Sequence, residues 1–559
     1  MGFERTWHQW YPKGTPPQVD IEKVTMSQAL ESVAADFPDR TAFVYMGKKI
    51  AYGDLNRMVN TFANALMDLG VGKGDKVGML LPNIPQIVIA DHATYKIGAV
   101  TVMNNPLYTE RELVHQLNDS ETTTLVTLDL LLPRVLKIQK ETRIKTIITC
   151  HINDYLPFPK KQLFPLVKKE MYRKDTSHDG VFPFMELMKA YPDTPVQPRA
   201  AWNDTAALLY TGGTTGVSKG AELTHANISS VVQQFSAWFP DLNRGDDIRI
   251  LGIYPIFHSA GYSVSQNLVI WNAWTAILVP RPEPTVITEM LKKFKPTFLP
   301  GVPTIYVGLL NHEPFCKMDL SFVKGYFGGA APLAEDTLNR LRDLHGAIIH
   351  DVYGATENTA FATCTPWQGK VKIGTVGIPL PNTDLKLVDL KTGDDILDPD
   401  REGEICIRGP QIMKGYYNQP EATAAAIRDG WLHMGDVGRM DTDGFLSIVD
   451  RKKDMIVAGG YNVYPKEIDE ILMACEGITE ACAFGVPDPY RGETVKAYVV
   501  RTHGAHLSED EVIGHCRRLL AAYKVPRQIM FVDNLPKTAV GKIQRKVVKE
   551  MEMEKTINN

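Results

Sequence analysis

Apolar positions along the chain switch repeatedly between a helical and a strand period. Thr25 and Gln28 have the spacing of a capping box, and Ala29, Leu30, Val33, Ala34 and Phe37 then recur on one helical face, which predicts a helix opening there. A second helical stripe, Leu55, Val59, Phe62, Leu66 and Leu69, stops at Gly70, and KVGMLLP (76–82) reads as a buried strand. Helical 86–100, strand-like TVMNN (101–105) and strand-like TTLVTLD (123–129) continue the alternation. Strands and helices taking turns argue for parallel sheets joined by crossover helices, so the expected class is α/β, doubly wound.

Farther on the pattern changes twice. From about 383 to 409, DLKLVDL and GEICIRG alternate apolar and polar residues around a turn-rich TGDD, which predicts antiparallel β structure. After Arg451 the pattern restarts, with a helix at 465–475, strands at 481–486 and 495–501, a helix opening at Ser508 and a strand at 529–532. A separate α+β domain of ordinary size fits this restart. The expected division is a large domain, 1–450, and a small one, 451–559.

Composition narrows the function. The 559 residues are 44 % apolar and 23 % charged, as in folded globular proteins, and a net charge of −4 provides no basic field to attract nucleic acid. Cys150, Cys316, Cys364, Cys406, Cys475, Cys482 and Cys516 are scattered without metal-site spacing, so reduced thiols in a cytoplasmic enzyme are expected. MGFERTWHQW lacks a secretory pattern, and its match to M-G-x-x-x-[ST] reads as a start Met followed by Gly. The most apolar run, 268–279, is interrupted by Asn272 and falls short of the ~20 residues of a spanning helix. One surface excursion stands out, YLPFPKKQLFPLVKKEMYRK (155–174), where Lys160, Lys161, Lys168, Lys169, Arg173 and Lys174 accompany the lone acid Glu170. A solvated loop is the favoured reading, and weak peripheral contact with an anionic inner membrane face is the alternative.

Four stretches carry chemistry. YTGGTTGVSKG (210–220) follows the strand-like AALLY; its glycines free backbone N–H groups to converge on phosphate, its hydroxyls add donors, and Lys219 adds a cation. It is not a Walker A loop, because Lys219 precedes Gly220 rather than a hydroxyl residue. YGATE (353–357) lies just beyond strand-like IIHDV, where open α/β sheets place ligands. WLHMGDVG (431–438) runs through GFLSIVDRKKD to AGGYNVYP (458–465), and PKTAVGKIQR (536–545) stands near the C-terminus.

In this order and at these distances the four stretches resemble the adenylate-forming superfamily of acyl-CoA synthetases, peptide-synthetase adenylation domains and luciferases. DGWLHMGDVGRMDTDGFLSIVDRKKD, QIMKGYYNQPEAT, VPDPYRGETVKAY and LAAYKVP are closest to bacterial and archaeal long-chain fatty acid–CoA ligases. The resemblance covers nearly the whole chain. It implies a large domain of two doubly wound α/β subdomains with a small β-barrel-like one, followed by a mobile α+β domain on a hinge at 450–453. It also implies two reactions, acyl-AMP formation from a carboxylic acid and ATP with release of pyrophosphate, then acyl transfer to coenzyme A.

Carried onto this sequence, the resemblance assigns Thr211, Gly212, Gly213, Thr214, Thr215, Gly216 and Lys219 to the β- and γ-phosphates, and Thr214 and Glu357 to Mg²⁺. Thr356 contacts the α-phosphate. Gly329, Ala330 and Ala331, with Asp351 and Tyr353, flank adenine; Asp436 accepts the ribose hydroxyls, and Arg451 reaches the ribose or phosphate. Lys542 stabilises developing charge in the first reaction, Gly459 and Gly460 admit the pantetheine arm in the second, and Lys453 is the pivot. His258 stands near the acyl carboxylate and Tyr262 at its gate, while Gly328, Gly329, Val352 and Ala355 border the acyl group. Val352, Ala355 and Met434 depart from the usual Gly, Leu or Met, and Thr; the first two border the acyl and adenine groups, so a medium-chain, branched, cyclic or aromatic acid is an alternative substrate. Independently of these departures, the resemblance also admits a carrier protein as an alternative acceptor. Homodimers are common among such proteins, but no interface is legible in this sequence.

Overall fold

Crossover connections build two large sheets from interleaved parts of the chain. The computed structural model describes residues 5–174, 176, 178–211, 218–329, 333, 335–458, 461–488, 492–502, 504–538 and 541–558. One sheet has eight strands in the order Gly415–Tyr416, Gly220–Thr224, Thr205–Tyr210, Val100–Met103, Lys76–Leu80, Thr124–Leu128, Thr146–Cys150 and Val181–Pro183. Its last six strands run parallel, and the first two are antiparallel additions. The other has nine strands, ordered Ile378–Pro379, Thr363–Cys364, Ile349–Tyr353, Gly325–Gly328, Phe298–Gly301, Arg249–Gly252, Thr275–Leu278, Thr41–Tyr45 and Lys48–Ala51.

The expected local signals form. Thr25 caps the helix Met26–Asp36 in a capping box with Gln28, and the helix Tyr52–Asp68 ends ahead of Gly70, whose φ of +85° suits glycine. The helix Pro85–Lys96 is buried at every position and His225–Ser236 at ten of its twelve, as expected of helices enclosed by neighbouring layers. The main apolar core runs from Trp7 to Leu446, and a second cluster backs the nine-stranded sheet.

DLKLVDL and GEICIRG pair as the antiparallel strands Asp384–Val388 and Gly403–Arg408. They join Asp395–Ile396, Ile427–Arg428, Trp431–Met440 and Leu446–Arg451 in a six-stranded sheet. Beyond it, Ile456–Ala458, Tyr461–Val463, Ile478–Asp488, Gly492–Arg501 and Gln528–Phe531 form a five-stranded sheet with the helices Pro465–Met473 and Glu509–Leu519. This C-terminal unit has its own apolar cluster, including Ile456, Ile468, Leu472, Val499 and Ile529. Ser508 caps its second helix in a capping box with Glu511.

The excursion 155–174 differs from the favoured solvated loop. It contains the helix Lys160–Val167, anchored by buried Phe164. Across all described residues, no helix is long and apolar enough to cross a membrane. All seven cysteines are free thiols.

Candidate active site

The strand Ile349–Tyr353 leads directly into the turn Thr356–Asn358, so the central sheet fixes where Thr356 and Glu357 stand. A Cβ on Gly354 would collide with the Ala360 carbonyl, which requires glycine for this close approach. Asn358 is buried and its Oδ1 accepts from the Ala355 N–H at 2.7 Å. Thr359 and Ala360 take left-handed φ values of +55° and +83°, a local strain of the kind that accumulates at functional sites. Part-buried Glu357 accepts from Tyr416 Oη at 2.7 Å through Oε1.

Around this turn the predicted nucleotide residues converge. Tyr353 Oη donates to Asp436 Oδ2 at 2.7 Å, and Arg451 Nε meets Asp436 Oδ1 at 2.7 Å. Asp436 and Arg451 are direct cross-strand partners, so pairing of Trp431–Met440 with Leu446–Arg451 brings the carboxylate and the guanidinium together. Burial pushes Asp351 up to about 7. Gly328 pairs with Asp351 across parallel strands, and a Cβ there would meet Asp351 Oδ1 at 2.6 Å and Leu333 Cδ1 at 2.8 Å. The space beside Gly328 is thus taken by the protein itself, whereas a Cβ on Gly329 would have only ordinary contacts, with Val352 O at 3.5 Å and Tyr254 Oη at 3.8 Å. Val352 and Ala355 are partly buried against the main core.

At the base of the phosphate loop, the Thr211 N–H donates to Lys219 O at 3.0 Å, closing the two ends on each other. The Lys219 ammonium lies over the Tyr416 ring, 4.9 Å from its centroid. Gly212, Gly213, Thr214, Thr215 and Gly216 lie outside the described residues, as do Ala330, Ala331, Gly459 and Gly460. The strands Ile456–Ala458 and Tyr461–Val463 pair on either side of the last two positions.

His258 follows Pro255 and Ile256, and the Ile256 N–H is held by Asn83 Oδ1 at 2.8 Å. Burial, reinforced by the Lys542 cation, pushes His258 down to about 4, so its ring is neutral near pH 7. Its Nδ1 accepts from the Ala260 N–H at 3.4 Å, an arrangement that leaves the proton on Nε2. Tyr262 is wholly buried at the start of a π-helical turn, Tyr262–Leu268, and its hydroxyl has no hydrogen-bond partner among the described residues.

The C-terminal unit delivers Lys542 to the same place. Thr538 N–H donates to Lys542 O at 2.8 Å, and Thr538 Oγ1 accepts from the Lys542 N–H at 3.1 Å. Beside it, a Cβ on Gly541 would lie 2.5 Å from Thr304 Oγ1, so this turn packs closely on the helix Pro303–Leu310 of the large domain. Burial, then the Arg451 cation, pulls Lys542 down from 10.5 to about 8. Arg545 braces the turn by ion pairs to Asp469 and Asp454 and donates through Nε to Ala483 O at 2.8 Å. At the expected hinge, buried Asp450 accepts from the N–H groups of Arg451 and Lys466 at 2.6 and 2.7 Å, Lys452 pairs with Glu404 at 2.9 Å, and Lys453 is exposed.

Tyr416, Asn358 and Thr304 were not singled out from sequence. A signal existed for Tyr416, an aromatic beside glycine in QIMKGYYNQPEAT, but its contacts are to distant segments. Glu357 suits a magnesium ion, because a carboxylate held through one oxygen leaves the other free for a hard cation. No group of three or more His, Cys, Asp or Glu side chains suited to a metal occurs among the described residues.

Residues 30–417 match the AMP-binding enzyme family and residues 467–542 match the AMP-binding enzyme C-terminal domain. The chain belongs to this family of AMP-binding enzymes. It is similar to the long-chain-fatty-acid–CoA ligase of Bacillus subtilis (strain 168), with 40 % identity over 560 residues covering 99 % of each chain. Its structure is similar to that of ATP-bound MatB from Rhodopseudomonas palustris, with a TM-score of 0.83, 29 % identity, and coverage of 94 % of this chain and 98 % of that one. The apo form of the same MatB gives a TM-score of 0.73 at equal identity and coverage.

Proposed function

We propose that this protein is an AMP-forming ligase that joins a medium- to long-chain fatty acid to coenzyme A. The observation that carries the reading is the convergence of Lys542, His258, Arg451 and Asp436 beside the Thr356–Asn358 turn in an AMP-binding enzyme. Similarity to the Bacillus subtilis ligase supports the fatty-acid and coenzyme A assignments.

In the first step a carboxylate oxygen attacks the α-phosphorus of ATP, and the bond to the β-bridging oxygen breaks, with its electron pair leaving on pyrophosphate. Lys542 stabilises the charge gathering on the carboxylate and α-phosphate oxygens, an electrostatic role that requires no proton transfer. Neutral His258 offers its Nε2 proton to a carboxylate oxygen of the acid. Thr356 donates to the α-phosphate, and Thr211 and Lys219 attend the β- and γ-phosphates. Asp436 exchanges its Tyr353 and Arg451 partners for the ribose hydroxyls. Magnesium, when bound at Glu357 and Thr214, supplies charge neutralisation to the phosphate oxygens.

In the second step the coenzyme A thiolate attacks the acyl carbonyl, and AMP leaves with the electron pair of the broken C–O bond. Lys542 belongs to the first step and Gly459 and Gly460 to the second, so domain 451–559 rotates on large domain 1–450 about the hinge at 450–453. The fuller likeness to ATP-bound than to apo MatB supports the first-step arrangement for the conformation described.

The test is pyrophosphate release over straight, branched, cyclic and aromatic acids, with and without coenzyme A and with product masses measured. Fatty acids giving acyl-CoA are the expected result. Turnover of cyclic or aromatic acids alone overturns the substrate, and transfer only to a phosphopantetheinyl carrier protein overturns the acceptor.

A second reading concerns 155–174, for which we propose weak docking on an anionic bilayer. Phe158, Leu163, Leu166 and Val167 are 83, 48, 67 and 70 % exposed, and Lys160, Lys168 and Lys169 stand exposed among them. Apolar side chains ringed by cations suit an acidic lipid surface, the medium into which a long-chain acid partitions. Flotation with phosphatidylglycerol vesicles is expected to carry the protein at low salt, and to lose it on Leu166→Ser/Val167→Ser substitution or at high salt. No flotation at low salt overturns this docking.

A further inference from the structure

Tyr416 touches two groups that the proposed reaction uses, yet the sequence motifs assign it no role of its own. Its hydroxyl donates to Glu357 Oε1 at 2.7 Å, while the opposite attraction of its ring holds the Lys219 ammonium at 4.9 Å from the centroid. The backbone explains why it can serve both. The strand Gly415–Tyr416 pairs antiparallel with Gly220–Thr224, with Tyr416 opposite Ala221, so the residue sits two positions from Lys219 along the returning strand of the phosphate loop. Its own N–H is fixed by Thr423 Oγ1 at 2.9 Å, and a Cβ on Gly415 would crowd the same threonine. Three residues earlier, the Met413 N–H donates to the Glu357 carbonyl at 2.8 Å, which ties the segment to the Thr356–Asn358 turn.

We infer that Tyr416 is a positioning residue that orients the Glu357 carboxylate for the metal of MgATP and holds Lys219 at the phosphate end of the same nucleotide. The inference rests on the proposed roles of Glu357 and Lys219. With Oε1 engaged by the phenol, the carboxylate cannot rotate freely, and its other oxygen is presented in one direction. Loss of a partner that orients a metal ligand typically costs about 10- to 100-fold in metal affinity or activity.

Calorimetric titration with MgATP, and with ATP in EDTA, separates this role from simple packing. Tyr416→Phe keeps the ring over Lys219 and removes only the hydroxyl. It is expected to weaken MgATP binding roughly tenfold and to leave metal-free ATP binding unchanged. Tyr416→Leu removes the ring as well and is expected to weaken both. Combining Tyr416→Phe with Glu357→Gln is expected to cost no more than Glu357→Gln alone, because the hydroxyl acts through that carboxylate. Additive losses in the double variant, or equal losses with and without magnesium in Tyr416→Phe, overturn the inference. MgATP binding undiminished in Glu357→Gln instead removes the assignment of the glutamate, and the inference with it.

Discussion

Lys542 is a cation placed where a cation is expensive. Enclosed beside Arg451, its ammonium titrates near 8 instead of 10.5, so it is charged at neutral pH and loses its proton within the working range. Because the charged form is the one that stabilises the transition state, activity is retained below this value and lost above it. In the first half-reaction, kcat/KM, which reports the free enzyme, is expected to decline with rising pH from about 8, as measured by acid-dependent pyrophosphate release. Lys542→Arg keeps the charge at alkaline pH and is expected to abolish that decline. Lys542→Ala is expected to lower the rate of this step by roughly a hundredfold or more, while thioester formation from supplied acyl-AMP continues. His258 contributes no such transition near neutrality, because its value of about 4 leaves it uncharged there.

Elements determine how well these residues are aimed. Gly541 sits at φ +77° against Thr304, where a methyl group is strained by both the backbone and the contact. Gly541→Ala is expected to displace Lys542 and slow pyrophosphate release roughly tenfold or more. Adding Thr304→Ala removes the Oγ1 and Cγ2 atoms in the way and is expected to recover part of the rate. At this scale much was legible beforehand, because capping boxes at Thr25 and Ser508 and the alternation in DLKLVDL are local signals. The segment 155–174 was less legible. Its lysines and prolines suggest a loop, Pro165 lies within a helix that nonetheless forms, and burial of Phe164 in the core is a tertiary contact that no local pattern reports.

For the molecule as a whole, the proposal requires that the C-terminal unit give up one set of contacts to make another. Its separate apolar cluster allows it to move as a body, and among the described residues the 450–453 crossing is held by polar contacts, including Asp450 with the Lys466 N–H, Arg451 with Asp436 and Lys452 with Glu404. Hydrogen exchange of the segment 536–545 is expected to slow when MgATP is bound and to accelerate once acyl-AMP has formed and coenzyme A is added. Exchange that is identical in the two states would count against rotation of this domain.

Most of the elements, and all four chemical motifs, are legible in the amino-acid order, the helix Lys160–Val167 being an exception. A helical stripe, a capping box or a glycine-rich turn is written within a few neighbouring residues, and the four chemical stretches are contiguous, so the family resemblance needed no structure. Only the tertiary structure decided which strands share a sheet and which motifs meet. Thr41–Tyr45 pairs with its sequence neighbour Lys48–Ala51 on one side and with Thr275–Leu278 on the other, whereas the following strand, Lys76–Leu80, belongs to the other large sheet. Tyr353 and Asp436, 83 residues apart, and Tyr416 and Glu357, 59 apart, become hydrogen-bonded only when different elements bring them together. Periodicity is a short-range property of a chain, whereas an active site is made of long-range contacts, and these are fixed by packing.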